Sequence, residues 1–122
     1  MILVDTSIWV DHLRSGSARL VGLLERSAVL THSMVIGELA LGSIHPREVL
    51  LDSLEALPRA VEAGSAEVRH LIESRSLHGR GVGLVDAHLL ASALLTPGSR
   101  RWTRDRRLGE VARELGLHFT DS

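Results

Sequence analysis

The first third of the chain alternates short apolar runs with segments in which apolar residues recur at helical spacing. Ile2 to Val4 predict a buried strand, and residues 28–31, "AVLT", predict a second one. Between them, leucine and valine recur at the spacing of a helix over about residues 17–26. "SMVIGELALG" predicts a helix that begins at Ser33 and ends at Gly42.

The rest of the chain continues this alternation and contains one segment that is apolar on nearly every face. Residues 84–95, "LVDAHLLASALL", are apolar at nine of twelve positions. A helix with so few polar positions should lie in the core rather than at the surface. The remaining predicted elements are helices over residues 46–54, 65–77 and 105–115 and strands over residues 101–103 and 118–120.

Strands that alternate with helices predict an α/β fold. The expected architecture is a short, mainly parallel central sheet of four to five strands flanked by helices. The length of 122 residues predicts one domain over residues 1–122. Ligands of such sheets bind beyond the carboxyl ends of the strands. Asp5 and Asp105 each follow a predicted strand, so both should lie at that edge.

The sequence around Asp5 allows two interpretations. Asp5 or Thr6 would be a good N-cap for a helix that runs through Trp9 and Leu13. Asp5 also ends a buried strand, at the place where an α/β protein binds its ligand. Capping is the commoner role of such a residue, and other acids in the chain are needed to choose between the two.

Glu38 and Asp86 are acids in segments that are otherwise apolar. Glu38 borders the apolar face of its predicted helix, which includes Met34, Val35 and Leu41, or it lies at the edge of a half-exposed helix. Asp86 lies in the first turn of the most apolar helix, where the helix dipole favours an acid, yet an unpaired buried charge is costly. A divalent cation would neutralise converging carboxylates, and oxygen ligands suit Mg²⁺ or Mn²⁺.

Composition removes several classes of chemistry. The chain has no cysteine and no lysine, and all fourteen basic residues are arginine. The absence of lysine excludes P-loop and Schiff-base chemistry and argues against phosphotransfer modules, whose first strand also ends in acids. The absence of cysteine excludes disulfides and thiolate zinc sites. The seven histidines lack metal-binding spacings and are expected to be structural or surface residues.

The sequence predicts neither a membrane segment nor a secretory leader. No apolar run approaches the 18 residues that a membrane helix needs. Asp5 interrupts the N-terminal apolar stretch, and no basic segment precedes that stretch. We therefore expect a cytoplasmic protein.

Four motifs occur along the chain in the order that one known family shows. They are "LVDTSIWVDHL", "IGELALG", "LVDAHLLASAL" and "WTRDRRL". Together they resemble the PIN-domain ribonucleases, and in particular the VapC toxins of bacterial toxin–antitoxin pairs, from Ile2 to Phe119. The resemblance implies a single PIN-like domain in which four acids bind Mg²⁺ or Mn²⁺ and carry out catalysis: Asp5, Glu38, Asp86 and Asp105.

The resemblance also implies partners for the protein. These are an RNA substrate cut in single strands or loops, a second copy of the chain in a homodimer, and a small VapB-like antitoxin that neutralises the enzyme. The chain departs from some PIN domains in one stretch, because Arg106, Arg107 and Leu108 stand where those proteins carry a further acid or amide. We therefore expect metal binding to be weak at the Asp105 end.

Residues 100–107, "RRWTRDRR", concentrate basic charge around Asp105, although the net charge of −1 gives no general reason to expect nucleic-acid binding. Guanidinium groups suit phosphate oxygens, and a solvated face is the alternative. The candidates for RNA backbone contacts are Arg100, Arg101, Arg104, Arg106 and Arg107. Trp102 is the one aromatic residue in the stretch, and we expect it to pack in the core.

Three hydroxyl residues and one competing function complete the sequence-based expectations. Thr6, Ser7 and Thr103 are candidates to orient a ligand or water from behind the acids, and plain helix capping is the alternative. The competing function is a catalytically silent domain that binds RNA or a partner on the same fold, because fold alone does not fix function.

Overall fold

The computed structural model of the protein describes residues 1–120. The strands are β1 (Ile2–Val4), β2 (Val29–Leu30) and β3 (Arg100–Trp102). The helices are α1 (Thr6–Ser15), α2 (Ala18–Glu25), α3 (Ser33–Leu41), α4 (Arg47–Glu55), α5 (Ser65–Ser74), α6 (Leu84–Leu95) and α7 (Arg106–Glu114). The predicted helices are confirmed, and their bounds differ from the expected ones by at most three residues.

The three strands form a parallel sheet in the order β2–β1–β3. The central strand is therefore β1, and its last residue is followed directly by Asp5. In the register between β1 and β3, Leu3 is opposite Arg101 and Val4 is opposite Trp102. The expected α/β fold with a parallel sheet is confirmed, and residues 1–120 contain three strands where four to five were predicted.

The prediction of a strand over residues 118–120 is wrong, because this segment makes only an isolated bridge between His118 and Arg101. The amide of Arg101 donates to Leu117 O at 2.6 Å, and the amide of Phe119 donates to Arg101 O at 3.0 Å. Backbone groups of successive strand residues point to opposite sides. In a three-residue β3, only the middle residue therefore faces the C-terminal segment.

The core surrounds the central strand and the middle of α6. Leu3 and Val4 of β1 are fully buried, and so are Leu89 and Leu90 of α6. Helix α6 packs against α5 and β3, as expected for the most apolar segment of the chain. Trp102 is buried and packs edge-to-face on Phe119 with ring centroids 5.4 Å apart, which confirms its predicted place in the core.

The topology places several acids near the carboxyl edge of the sheet. Asp5 follows β1, Asp105 follows β3, and Glu38 is in the helix that follows β2. Asp86 comes from the first turn of α6, which packs beside β3. Among residues 1–120, no helix is both long and apolar enough to cross a membrane.

Candidate active site

Asp5 is a buried carboxylate that does not cap the helix it precedes. Its backbone occupies the N-cap position of α1, but its side chain makes no capping hydrogen bond. Oδ2 instead accepts hydrogen bonds from Ser7 Oγ at 2.8 Å and from Thr103 Oγ1 at 2.9 Å. Oδ1 accepts from Arg101 Nη2 at 2.8 Å. The capping interpretation therefore does not hold for this side chain.

Arg101 links Asp5 to a second acid. The same nitrogen, Nη2, lies 3.4 Å from Oδ1 of Asp86, so both carboxylates converge on one point. The side chain of Arg101 is 0% exposed and that of Asp86 is 31% exposed. We call these three residues, Asp5, Asp86 and Arg101, the charged cluster.

Electrostatics connect the charged cluster to the two remaining acids. Burial raises the pKa of Asp86, the guanidinium of Arg101 opposes this rise, and three neighbouring carboxylates add to it. Those carboxylates belong to Asp5, Glu38 and Asp105. Since each of them acts on one half-buried carboxyl, the four acids that the resemblance implied share one neighbourhood.

Glu38 and Asp105 lie at the exposed side of this neighbourhood. The carboxylate of Glu38 accepts a hydrogen bond from Thr6 Oγ1 at 2.6 Å. Asp105 is a true helix cap, because its Oδ1 accepts from the amide of Leu108 at 3.0 Å. Its own amide donates to Thr103 Oγ1 at 3.0 Å. The three candidate hydroxyls thus each contact an acid, and Thr103 joins the ends of β1 and β3.

The five candidate arginines do not form one surface. Arg101 is buried in the charged cluster, so it is not on the surface that RNA would reach and the phosphate-contact expectation does not hold for it. The other four are exposed. Arg104 Nε pairs with Asp11 Oδ2 at 2.8 Å, and Arg106 Nε lies 3.7 Å from Glu110 Oε1.

Two features of the site were missed by the sequence-based interpretation. Arg113 joins Arg104 and Arg106 in lining a shallow cleft of about 400 Å³ beside Asp105. The helical spacing of Arg106 and Arg113, seven residues apart, is a signal that the sequence already contained. The pairing of Arg101 with two acids had no comparable signal, because its partners are 96 and 15 residues away.

The chemistry of the four acids fits a hard divalent cation, since all their ligand atoms are oxygens. Their arrangement is less complete. Within residues 1–120, no group of three or more His, Cys, Asp or Glu side chains is close enough to hold a metal ion. Asp5 and Asp86 converge, but they converge on Arg101. The four acids therefore supply the oxygen ligands that Mg²⁺ or Mn²⁺ prefers. The guanidinium of Arg101, however, lies between Asp5 and Asp86.

A second group of buried polar residues, His32 and Ser92, lies nearby, and we call it the neutral cluster. Nδ1 of His32 accepts from the amide of Met34 at 3.0 Å, so Nε2 carries the proton and donates to Ser92 Oγ at 3.0 Å. Ser92 Oγ also accepts from the amide of Ala63 at 3.0 Å. Burial lowers the pKa of His32, with Glu62 opposing. His32 is therefore structural, as the sequence predicted.

Comparisons with known proteins identify the family of this chain. Residues 2–114 match the family model described as the PIN domain. The chain is 50% identical over 121 residues to Ribonuclease VapC32 of Mycobacterium tuberculosis strain CDC 1551 / Oshkosh, which is 99% of this chain and 98% of that protein. The same values apply to Ribonuclease VapC32 of strain H37Rv. The chain therefore belongs to the PIN-domain family and, within it, to the VapC-type ribonucleases.

Proposed function

We propose that this protein is a toxin of a toxin–antitoxin pair that cleaves single-stranded or loop RNA in a reaction dependent on Mg²⁺ or Mn²⁺. The observation that carries the proposal is the convergence of Asp5 and Asp86, with Glu38 and Asp105 acting on the half-buried carboxyl of Asp86. Acids are seldom brought together for structural reasons, because like charges repel one another. The name of the relative, a ribonuclease, supports RNA as the substrate.

In this proposal Asp5, Glu38, Asp86 and Asp105 hold the divalent cation. When bound, the cation lowers the pKa of water and neutralises charge that develops on the phosphate. The hydroxyls of Ser7 and Thr103 fix the orientation of Asp5 through hydrogen bonds to Oδ2. This leaves Oδ1 of Asp5, which shares the contact to Arg101 Nη2 with Asp86, as the oxygen that would bind the cation.

The test is cleavage of a mixed RNA pool by the purified protein, with and without EDTA. Asp86→Asn should slow cleavage at least ~100-fold, because it removes a proposed metal ligand, and losing a group that only orients a ligand already costs about 10–100-fold. Asp52→Asn, an exposed aspartate of α4, is the matched control and should leave the rate unchanged. Cleavage that continues at the same rate in EDTA would exclude the proposed chemistry.

One observation favours a second function, a catalytically silent domain that binds RNA or a partner. Among the described residues no three-acid group is assembled, and Arg101 already neutralises part of the negative charge. Such a domain would bind RNA equally well with and without Mg²⁺ and would cut nothing. RNA binding by gel shift in parallel with the cleavage assay separates the two functions.

We propose that exposed arginines around Asp105 bind the RNA backbone rather than its bases. Arg106 is 93% exposed and its guanidinium is only loosely paired with Glu110, so phosphate can reach it. Arg106→Ala should weaken binding similarly for all RNAs and reduce the salt slope by about 0.7. Arg69→Ala on α5 is the control, with similar exposure and an i,i+4 acid partner. A changed cleavage sequence would instead mean that Arg106 contacts a base.

The proposed partners follow from the same family relationship. A small VapB-like antitoxin would neutralise the enzyme by placing a basic side chain against the exposed acids Glu38 and Asp105, and a complex that leaves both open to solvent would refute this mode.

We also propose a homodimer, supported by exposed leucines at both ends of α6, with sedimentation of the purified protein as the check. The proposed substrate favours the cytoplasm as the site of action, and residues 1–122 act as one domain.

A further inference from the structure

Arg101 is an unusual residue for the interior of a protein. Its side chain is 0% exposed, and a guanidinium stays protonated even when it is buried. A buried charge requires a partner of opposite sign, because leaving water is costly for an ion. Asp5 at 2.8 Å and Asp86 at 3.4 Å supply that charge.

The hydrogen bonds of Arg101 are incomplete. Nη2 makes both contacts to the acids, whereas Nε and Nη1 are buried and have no hydrogen-bond partner among the described residues. A guanidinium placed only for stability would be expected to use its fork in a bidentate pair. This one directs a single nitrogen between two carboxylates that belong to the proposed metal site.

The hydrogen bonds of Asp5 limit how that site can be used. A carboxylate offers about four lone-pair positions. Ser7 and Thr103 take both positions on Oδ2, and Arg101 takes one on Oδ1. A cation that joins Asp5 to Asp86 must therefore use Oδ1, next to a permanent positive charge. A cation bound to Oδ1 and the guanidinium of Arg101 would repel each other strongly, because both charges would be largely shielded from water.

We propose that Arg101 is a built-in counter-cation that competes with the divalent metal for Asp5 and Asp86, so that it holds the site together without metal and weakens metal binding. The inference rests on the proposed function in that it assumes the same acids bind a metal. It adds a role for a residue that touches neither RNA nor the surface. Arg101 is thus a positioning residue, which acts through the two acids.

The experiment measures Mg²⁺ and Mn²⁺ binding by titration calorimetry and thermal unfolding, without RNA. Arg101→Met should lower the melting temperature of the metal-free protein, bind Mg²⁺ about 10–100-fold more tightly, and show a larger rise in melting temperature on adding Mg²⁺. Arg101→Lys retains the charge and should restore weak binding. Arg100→Met, the exposed neighbour in β3, should match the wild type in every measurement.

A purely structural role predicts a different result. Arg101→Met would then unfold more easily but would bind Mg²⁺ with unchanged or weaker affinity, and this result would overturn the inference. If Arg101→Met does not fold, Arg101→Gln keeps an N–H donor for Asp5 without the charge and should show the same gain in affinity. In the wild type, Mg²⁺ should also shift the side-chain ¹⁵N resonance of Arg101 and not that of Arg100, and no shift at saturation would overturn the inference as well.

The outcome is separable from the test of ribonuclease activity. A protein that cleaves RNA with Mg²⁺ while Arg101→Met shows no gain in affinity keeps the proposed function and loses this inference. A protein that cuts no RNA, but whose Arg101→Met variant gains affinity for Mg²⁺, keeps this inference and loses the proposed function.

Discussion

The charged cluster and the neutral cluster both contain buried polar atoms, and both include a residue of α6. They differ in how completely those atoms are hydrogen-bonded. In the neutral cluster, both ring nitrogens of His32 and the hydroxyl of Ser92 have partners. In the charged cluster, two nitrogens of Arg101 have none among residues 1–120. Native structures satisfy nearly all buried polar atoms.

This difference distinguishes a structural hydrogen-bond network from a candidate functional site. A neutral network in which every polar atom has a partner stabilises the fold and offers no unused donor or acceptor to a ligand. An incomplete, charged one keeps lone pairs and a raised carboxyl pKa, which are typical of functional sites. The closeness of the two clusters shows in the lowered pKa of His32, to which burial contributes most and Arg101 also contributes.

The largest expected effect comes from breaking the charged cluster. Asp5→Asn removes the nearest counter-charge of a fully buried guanidinium and should cost about 3 kcal/mol of unfolding free energy. Asp86→Asn should do the opposite in metal-free protein at neutral pH, because the raised pKa of Asp86 means that its ionised form is disfavoured by folding. Urea unfolding of both variants checks the signs. Equal losses for the two would mean that both acids act only as structural partners of Arg101.

Removing the hydroxyl of the neutral cluster should have a smaller effect. Ser92→Ala leaves the buried amide of Ala63 and Nε2 of His32 without their partner and should cost about 2 kcal/mol. Metal binding should not change. Ser53→Ala, an exposed serine whose hydroxyl donates to Val49 O within α4, is the control and should stay within about 0.5 kcal/mol. A change in Mg²⁺ affinity in Ser92→Ala would show that the two clusters are one functional unit.

The smallest expected effect is a dependence of stability on pH. Burial lowers the pKa of His32 in the folded state, so the unfolded chain binds a proton at a higher pH than the folded chain. Stability should be complete above the ordinary histidine pKa of about 6.5. It should fall below that pH, by at most about 1.4 kcal/mol per pH unit.

His32→Asn tests this assignment, because asparagine can still cap α3 at the amide of Met34 and does not titrate. Its unfolding free energy should depend less on pH between 7 and 5 than that of the wild type. His70→Asn, at an exposed position of α5, should retain the full dependence. If both variants behave as the wild type does, another group produces the slope.

Local patterns were sufficient for most of the secondary structure. The helical spacing around residues 17–26 and the apolar segment at 84–95 gave helices close to the observed α2 and α6. The four acids could be named because each lies in one of the four sequence motifs that resemble those of the PIN-domain ribonucleases. The weak metal binding expected at Asp105 stays a prediction, and the structure shows only that Oδ1 of this residue caps α7. The strand over residues 118–120 failed because its pairing depends on the short length of β3, not on its own sequence.

The sequence by itself determined where strands end and which residues there are acidic, since a strand of consecutive apolar residues followed by aspartate is a local feature. Only the tertiary structure decided what each acid does. The backbones of Asp5 and Asp105 both occupy N-cap positions. The side chain of Asp105 caps its helix, whereas that of Asp5 contacts Ser7, Thr103 and Arg101. It also decided that Arg101 is internal, because parallel pairing with β1 places it opposite Leu3, while its neighbour Arg100 remains in solvent. The sequence specifies that Arg101 carries a charge, but the packing of β3 beside β1 and α6 determines which acids neutralise that charge.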